Sequence, residues 1–142
     1  MNYHKYIQFI KFLLVGSMNT AVTLAMIFVC KSLIGINPYI SNAIGYVAGV
    51  INSFIWNRSW VFRSNGNINA EAMKFFIGFG LCYILQLAFV WSVTTFTPLG
   101  DMQWKIANFT LSGYGVATLG GTCVYTLCNF IYNRRIAFSR KG

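Results

Sequence analysis

Two short strings recur in this chain: Phe54-Ile55-Trp56-Asn57-Arg58 and Phe130-Ile131-Tyr132-Asn133-Arg134. Each is followed four residues later by another phenylalanine, Phe62 or Phe138. A guanidinium binds phosphate through a rigid fork of donors that an ammonium cannot copy. Arg135 adjoins the second string, with Arg63 and Arg140 close by. Asn57, Arg58, Asn133, Arg134 and Arg135 are therefore candidate phosphate-binding residues, by the same logic by which arginine clusters recognise anionic head groups. Trp56, Trp60 and Tyr132 flank them. A second reading needs no ligand. Basic residues at the end of an apolar run fix membrane topology, and Trp and Tyr there form an interfacial belt. Topology alone would accept Lys in either copy, yet the same Asn-Arg pair recurs in both.

A second set of polar residues interrupts the apolar runs. Asn42, Gly45, Gly49, Asn52 and Trp56 are spaced three or four apart and share one helix face. Gly45 and Gly49 form a GxxxG step, which permits close helix approach and invites self-association. Gly16, Asn19, Thr20 and Thr23 make a similar face, as do Gly78, Cys82 and Gln86. Gly113, Ala117, Gly120 and Gly121 supply small residues near the end of the chain. For the glycines the simpler reading is packing. Asn19, Asn42, Asn52 and Gln86 serve either as bundle hydrogen bonds or as a polar path, because a buried amide is costly unless satisfied.

The elements that must carry these residues are membrane helices. Of the 142 residues, 56% are hydrophobic and only 9% are charged, against roughly 25% charged in an average soluble domain. That excludes an ordinary soluble domain and intrinsic disorder alike. The net charge of +9 would suggest nucleic acid in a soluble protein. Here the basic residues separate long apolar runs, and membrane topology accounts for them. A helix needs about 20 apolar residues to cross the hydrocarbon core, and four spans are expected, near Ile10–Cys30, Tyr39–Trp56, Lys74–Phe96 and Gly113–Tyr132. Ile106–Ser112 either extends the fourth or lies in the interface. No small-x-small cleavage site follows the first run, which reads as a retained helix.

Lys5, Lys11, Arg58, Arg63, Lys74, Arg134, Arg135, Arg140 and Lys141 would share one side, leaving Lys31 and Lys105 on the other. The positive-inside rule then places both termini in the cytoplasm. The expected fold is an all-α integral membrane protein: two tandem hairpins, residues 1–66 and 67–142, forming a parallel repeat.

Other chemistry is poorly supported. Cys30, Cys82, Cys123 and Cys128 form no CxxC pair, and His4 is the only histidine, so no metal or cofactor is expected. The Asn57-Arg58-Ser59 and Asn108-Phe109-Thr110 sequons are short, weak matches. The only acids, Glu71 and Asp101, lie outside the spans, which argues against a proton-driven antiporter. No nucleophile–base pair points to an enzyme.

With these residues in view, the chain resembles the GtrA-like family of small four-span membrane proteins, from Phe12 to about Arg140. The carriers are Phe12, Val15, Gly16, Asn19 and Thr20, then Asn42-Ala43, then Phe54-x-x-Asn57-Arg58-x-Trp60-x-Phe62. The second copy departs from this pattern, with Ile136 where Trp60 stands and Cys82 where Asn19 stands. The resemblance implies a bacterial inner-membrane protein that moves a polyprenyl-phosphate-linked sugar, such as undecaprenyl-phosphate glucose, to the outer leaflet for cell-surface polysaccharide modification. It also implies a membrane glycosyltransferase as partner. On that reading Arg58, Arg134 and Arg135 gather the phosphate. Trp56, Trp60 and Tyr132 stack on the sugar, and Asn19, Asn42, Asn52 and Gln86 bond its hydroxyls. A homo-oligomer, with a dimer favoured, is expected. The competing expectation is a non-transporting scaffold or anchor for the glycosyltransferase.

Overall fold

The computed structural model describes residues 3–106 and 109–139. Asn108 of the second sequon, and Arg140 and Lys141 of the basic tail, lie outside the described residues. The chain divides into two compact units that part between Ile68 and Asn69. Each contains one antiparallel helical hairpin.

The first unit pairs α1 (Tyr3–Phe28) with α2 (Pro38–Trp56). A wide turn over Val29–Leu33 ends α1, and Ile34 N–H closes it on the Val29 carbonyl at 3.1 Å. Gly35 then takes φ +80, a left-handed conformation that costs glycine little. Asn37 caps α2 by accepting from Tyr39 N–H at 2.9 Å, with Pro38 in the first helical position. The GxxxG step is used within this hairpin. A Cβ at Gly45 would lie 2.5 Å from Ile27 Cγ1 and 2.8 Å from the Thr23 carbonyl, and one at Gly49 would collide with Thr23 Oγ1. The step therefore meets α1, and self-association would need another surface.

The second unit pairs α3 (Ile68–Phe96) with α4 (Gly113–Tyr132). Gly121 meets Val90 and Gln86, Gly78 lies against the Tyr132 ring, and Phe79 meets Tyr125 edge-on. The connection is longer than in the first unit. A short helical turn (Pro98–Asp101) leads to a β-hairpin of β1 (Gln103–Ile106) and β2 (Phe109–Ser112). The register pairs Gln103 with Ser112 and Lys105 with Thr110. Among the described residues, Ile106 and Phe109–Ser112 are strand and do not extend the fourth helix. Ser112 stops the strand and caps α4, accepting from Gly115 N–H at 3.1 Å.

Several packing contacts recur in both hairpins. Gly45 against Thr23 and Ile27 corresponds to Gly121 against Gln86 and Val90. Phe12 packs on Phe62 at 6.4 Å between ring centroids, and Phe75 packs on Phe138 at 6.0 Å. All four phenylalanines are buried.

α2 and α4 end at the expected residues, Trp56 and Tyr132, whereas α1 and α3 begin seven and six residues earlier than the expected spans. Counting apolar residues finds hydrocarbon thickness, while a helical backbone continues into polar surroundings. Tyr3–Leu33 and Ile68–Phe96 are each long and apolar enough to cross a membrane, with mean hydropathy 2.0 and 1.9. α3 is apolar on every side, exposing Phe76, Ile77, Leu81, Ile84, Leu85 and Leu87. A helix apolar all round belongs in lipid or a large core. With so little of it covered, lipid is the solvent that fits.

Candidate functional site: paired turns at the ends of the hairpins

Both Asn-Arg motifs fall at the same structural event. α2 and α4 each end in one wide turn, Asn57–Val61 and Asn133–Ala137, in which hydrogen bonds span five residues instead of four. Phe62 N–H reaches the Asn57 carbonyl at 2.9 Å, and Phe138 N–H reaches the Asn133 carbonyl at 2.8 Å. Such π-turns are rare and recur at functional sites.

The asparagines accompany the widening here, although the wide turn over Val29–Leu33 forms without one. In the first unit Asn57 Nδ2 donates to the Ser53 carbonyl at 2.8 Å and to Ser53 Oγ at 3.1 Å. A side chain that takes a carbonyl one turn back competes with the backbone ladder there. In the second unit Asn133 Nδ2 donates to Asn129 Oδ1 at 3.0 Å, and Asn129 Nδ2 to the Tyr125 hydroxyl at 3.4 Å. The extra residue swings Phe62 or Phe138 back onto the first helix of its own hairpin. Asn57 and Asn133 are 1% and 0% exposed. Neither amide reaches the surface, so these residues shape the turn and do not present themselves to a ligand in this conformation.

The arginines differ between the copies. Arg58 donates from Nη2 to the Gly66 carbonyl at 2.9 Å and so ties down the loop after the turn. Arg134 is half-buried, Arg135 is exposed, and neither has a partner among the described residues. Arg63 ends the first turn with φ +49, a left-handed value uncommon for a side-chain-bearing residue.

Aromatic neighbours are also placed unequally. Trp56 is exposed and meets Trp60 edge-on at 6.3 Å. The Lys11 ammonium sits 5.0 Å over the Trp60 ring, a cation–π contact. Tyr132, half-buried, lies over Gly78. Lys11 is a member of this cluster that sequence spacing missed. It lies 49 residues from Trp60, and only the hairpin register brings them together.

The polar residues within the hairpins mostly satisfy one another. Asn52 Nδ2 donates to Asn19 Oδ1 at 2.7 Å across α1 and α2. Gln86 Nε2 reaches Thr122 Oγ1 at 3.5 Å across α3 and α4. Asn42 is exposed. Gly16 and Thr20 also face outward, Thr20 bonding back to the Gly16 carbonyl, so the expected polar face of α1 is divided.

The positions that correspond to Asn19 and Asn52 are Cys82 and Cys128 in the second hairpin, where no amide pair exists. Asn52→Leu is expected to cost the first hairpin about 1 kcal/mol, because one membrane-buried amide loses its partner. Asn19→Leu combined with Asn52→Leu should cost less than the two single costs together. Thermal unfolding in detergent measures all three, and additive costs would contradict the pairing.

These features define a helical membrane protein built from a repeated hairpin with an Asn-Arg π-turn at each end. The GtrA/DPMS transmembrane domain family matches residues 11–138, and the chain belongs to that family. No curated protein matches the chain. The family places it among membrane proteins that handle lipid-linked sugars.

Proposed function

We propose that the protein carries the head group of a polyprenyl-phosphate-linked sugar from the cytoplasmic to the outer leaflet of a bacterial inner membrane. All four helices cross, and both termini lie in the cytoplasm. The observation that carries this reading is the pair of repeated π-turns, each delivering an arginine and an aromatic side chain to the end of its hairpin. α2 and α4 have 19 and 20 residues, and at 1.5 Å per residue each rises about 30 Å, enough to span the hydrocarbon. In the second hairpin Arg134 and Arg135 supply forked donors for a phosphate and Tyr132 a face for a sugar ring; in the first, Arg58 supplies the donors and Trp56 and Trp60 the faces. The prenyl tail stays in lipid, and the arginines receive the charge, which would be prohibitively costly alone in hydrocarbon, at the cytoplasmic ends of the hairpins. Consumption of the sugar outside makes the net flow downhill. No cofactor or catalytic residue is required.

The second reading is a scaffold that recruits the glycosyltransferase. The closed Asn19–Asn52 pair favours it, since those amides serve packing and offer nothing to a passing sugar.

Right-side-out membrane vesicles separate the two. The vesicles would carry a synthase that makes polyprenyl-phosphate glucose inside. Transport predicts sugar that an impermeant probe labels outside only when this chain is present. Scaffolding predicts that the synthase co-purifies with the chain while outward labelling stays at the level without it.

A further inference from the structure

The connection between α3 and α4 has no counterpart in the first hairpin, which passes from Leu33 to Pro38 in a short turn. Gln103-Trp104-Lys105-Ile106 and Phe109-Thr110-Leu111-Ser112 each alternate polar and apolar residues, and side chains on a strand alternate between its two faces. The register decides which residues share a face. Trp104 stands opposite Leu111, while Gln103 stands opposite Ser112 and Lys105 opposite Thr110. Residues directly opposite lie on the same side of the ribbon. One face therefore carries Trp104 and Leu111, and the other carries Gln103, Lys105, Thr110 and Ser112. Leu111 is half-buried, its Cδ1 beside Gly115 in the first turn of α4, and Trp104 is exposed.

The base of the ribbon is fixed. Gly113 N–H donates to the Met102 carbonyl at 2.7 Å, and a Cβ at Gly113 would collide with the Leu99 carbonyl oxygen. The ribbon thus stays at the end of α4 opposite the Asn133–Ala137 turn. Two demands set its surroundings. Among the described residues the sheet has two strands, so each strand keeps one edge of N–H and C=O groups outside the ladder, which hydrocarbon does not satisfy. A two-stranded hairpin is also marginal in water, and its apolar face gains from cover. The head-group layer of a membrane meets both demands, with water at the edges and acyl chains below. Trp favours that layer. Trp91 and Phe96 extend the exposed apolar surface at the end of α3, their rings edge-on at 5.6 Å.

We infer that the β1–β2 ribbon is a docking surface for a phospholipid head-group layer. It lies flat there, with Trp104 and Leu111 toward the acyl chains and Gln103, Lys105, Thr110 and Ser112 toward water. Amphipathic helices settle with their apolar face about 5–10 Å into this boundary, and a ribbon divided in the same way obeys the same two demands. The contact holds the second hairpin at a set depth. The inference needs α3 and α4 to span a bilayer, and it stands whether or not the chain transports a lipid-linked sugar.

The test uses the full chain in phosphatidylcholine vesicles. Trp104 emission is taken as the difference between wild type and Trp104→Phe, which keeps the face apolar. It is then quenched with phosphatidylcholine brominated either near the head group or near the chain end. Quenching is expected with both and strongest with bromine near the head group. A second measurement reads the two faces separately. Trp104→Cys, Lys105→Cys, Thr110→Cys and Leu111→Cys are made one at a time and exposed to a charged maleimide on both sides of the membrane, with labelling of the native cysteines in wild type subtracted. Positions 104 and 111 should react about tenfold more slowly than 105 and 110.

Absence of quenching would place Trp104 in water or against protein, and strongest quenching from the chain end would place it in hydrocarbon. Either result would overturn the inference, as would equal reaction at all four positions.

Discussion

Gly45→Leu is expected to destabilise the first hairpin by about 3 kcal/mol, at the upper end of what overpacking a close helix contact costs. A Cβ there already meets Ile27 Cγ1 at 2.5 Å and the Thr23 carbonyl oxygen at 2.8 Å. The carbonyl belongs to the α1 backbone and cannot rotate away, so the helices must separate and break the Asn19–Asn52 bond with them. Gly121→Leu, its counterpart, should cost the second hairpin somewhat less. Its nearest neighbours are side-chain atoms, Val90 Cγ2 at 2.8 Å and Gln86 Cγ at 3.2 Å, which can shift. Gly80→Ala provides the control: nothing lies within 4 Å of that position, and the gain from replacing a helical glycine is about 0.5–1 kcal/mol. Thermal unfolding in detergent should rank Gly80→Ala above wild type, then Gly121→Leu, then Gly45→Leu. An unchanged Gly45→Leu protein would show that α1 and α2 do not touch through this step.

Much of this architecture was legible in the residues, and the limits have physical causes. The ends of α2 and α4 could be read because Trp56-Asn57-Arg58 and Tyr132-Asn133-Arg134 combine an interfacial aromatic, a helix-competing amide and a charge. The starts of α1 and α3 could not, because residues 3–9 and 68–73 are polar enough to leave the apolar count while remaining helical. The spacing of Gly45 and Gly49 announced a close approach but carried no information about the partner, and α1 takes it. For Ile106–Ser112 mixed polarity suits a helix extension and an interfacial segment equally, and it carries no sign of the strand pairing that β1 and β2 make. In the candidate site, Arg58, Arg134 and the aromatics stood out by type. The burial of Asn57 and Asn133 did not, since an Asn beside an Arg reads as surface until the turn geometry is known. Lys11 was visible only as a topology charge, because its contact with Trp60 depends on hairpin register.

Arg58→Gln combined with Arg134→Gln carries the largest functional expectation. If each guanidinium contributes one charge-assisted contact to a phosphate in transit, its loss is worth about 2 kcal/mol, or roughly thirtyfold in rate. The pair together should bring transport to the protein-free level. Folding and insertion are measured in parallel, because Arg58 forfeits its bond to the Gly66 carbonyl together with its other interactions. The most direct measurement is therefore head-group exposure in sealed proteoliposomes of the purified protein. The vesicles would hold a polyprenyl-phosphate sugar in both leaflets, with a membrane-impermeant oxidant added outside. The account predicts that wild type exposes the protected inner pool while the double variant, folded and inserted, matches empty vesicles. Exposure by wild type no faster than in empty vesicles would contradict transport by this chain, and full activity in the double variant would contradict the role of the paired arginines.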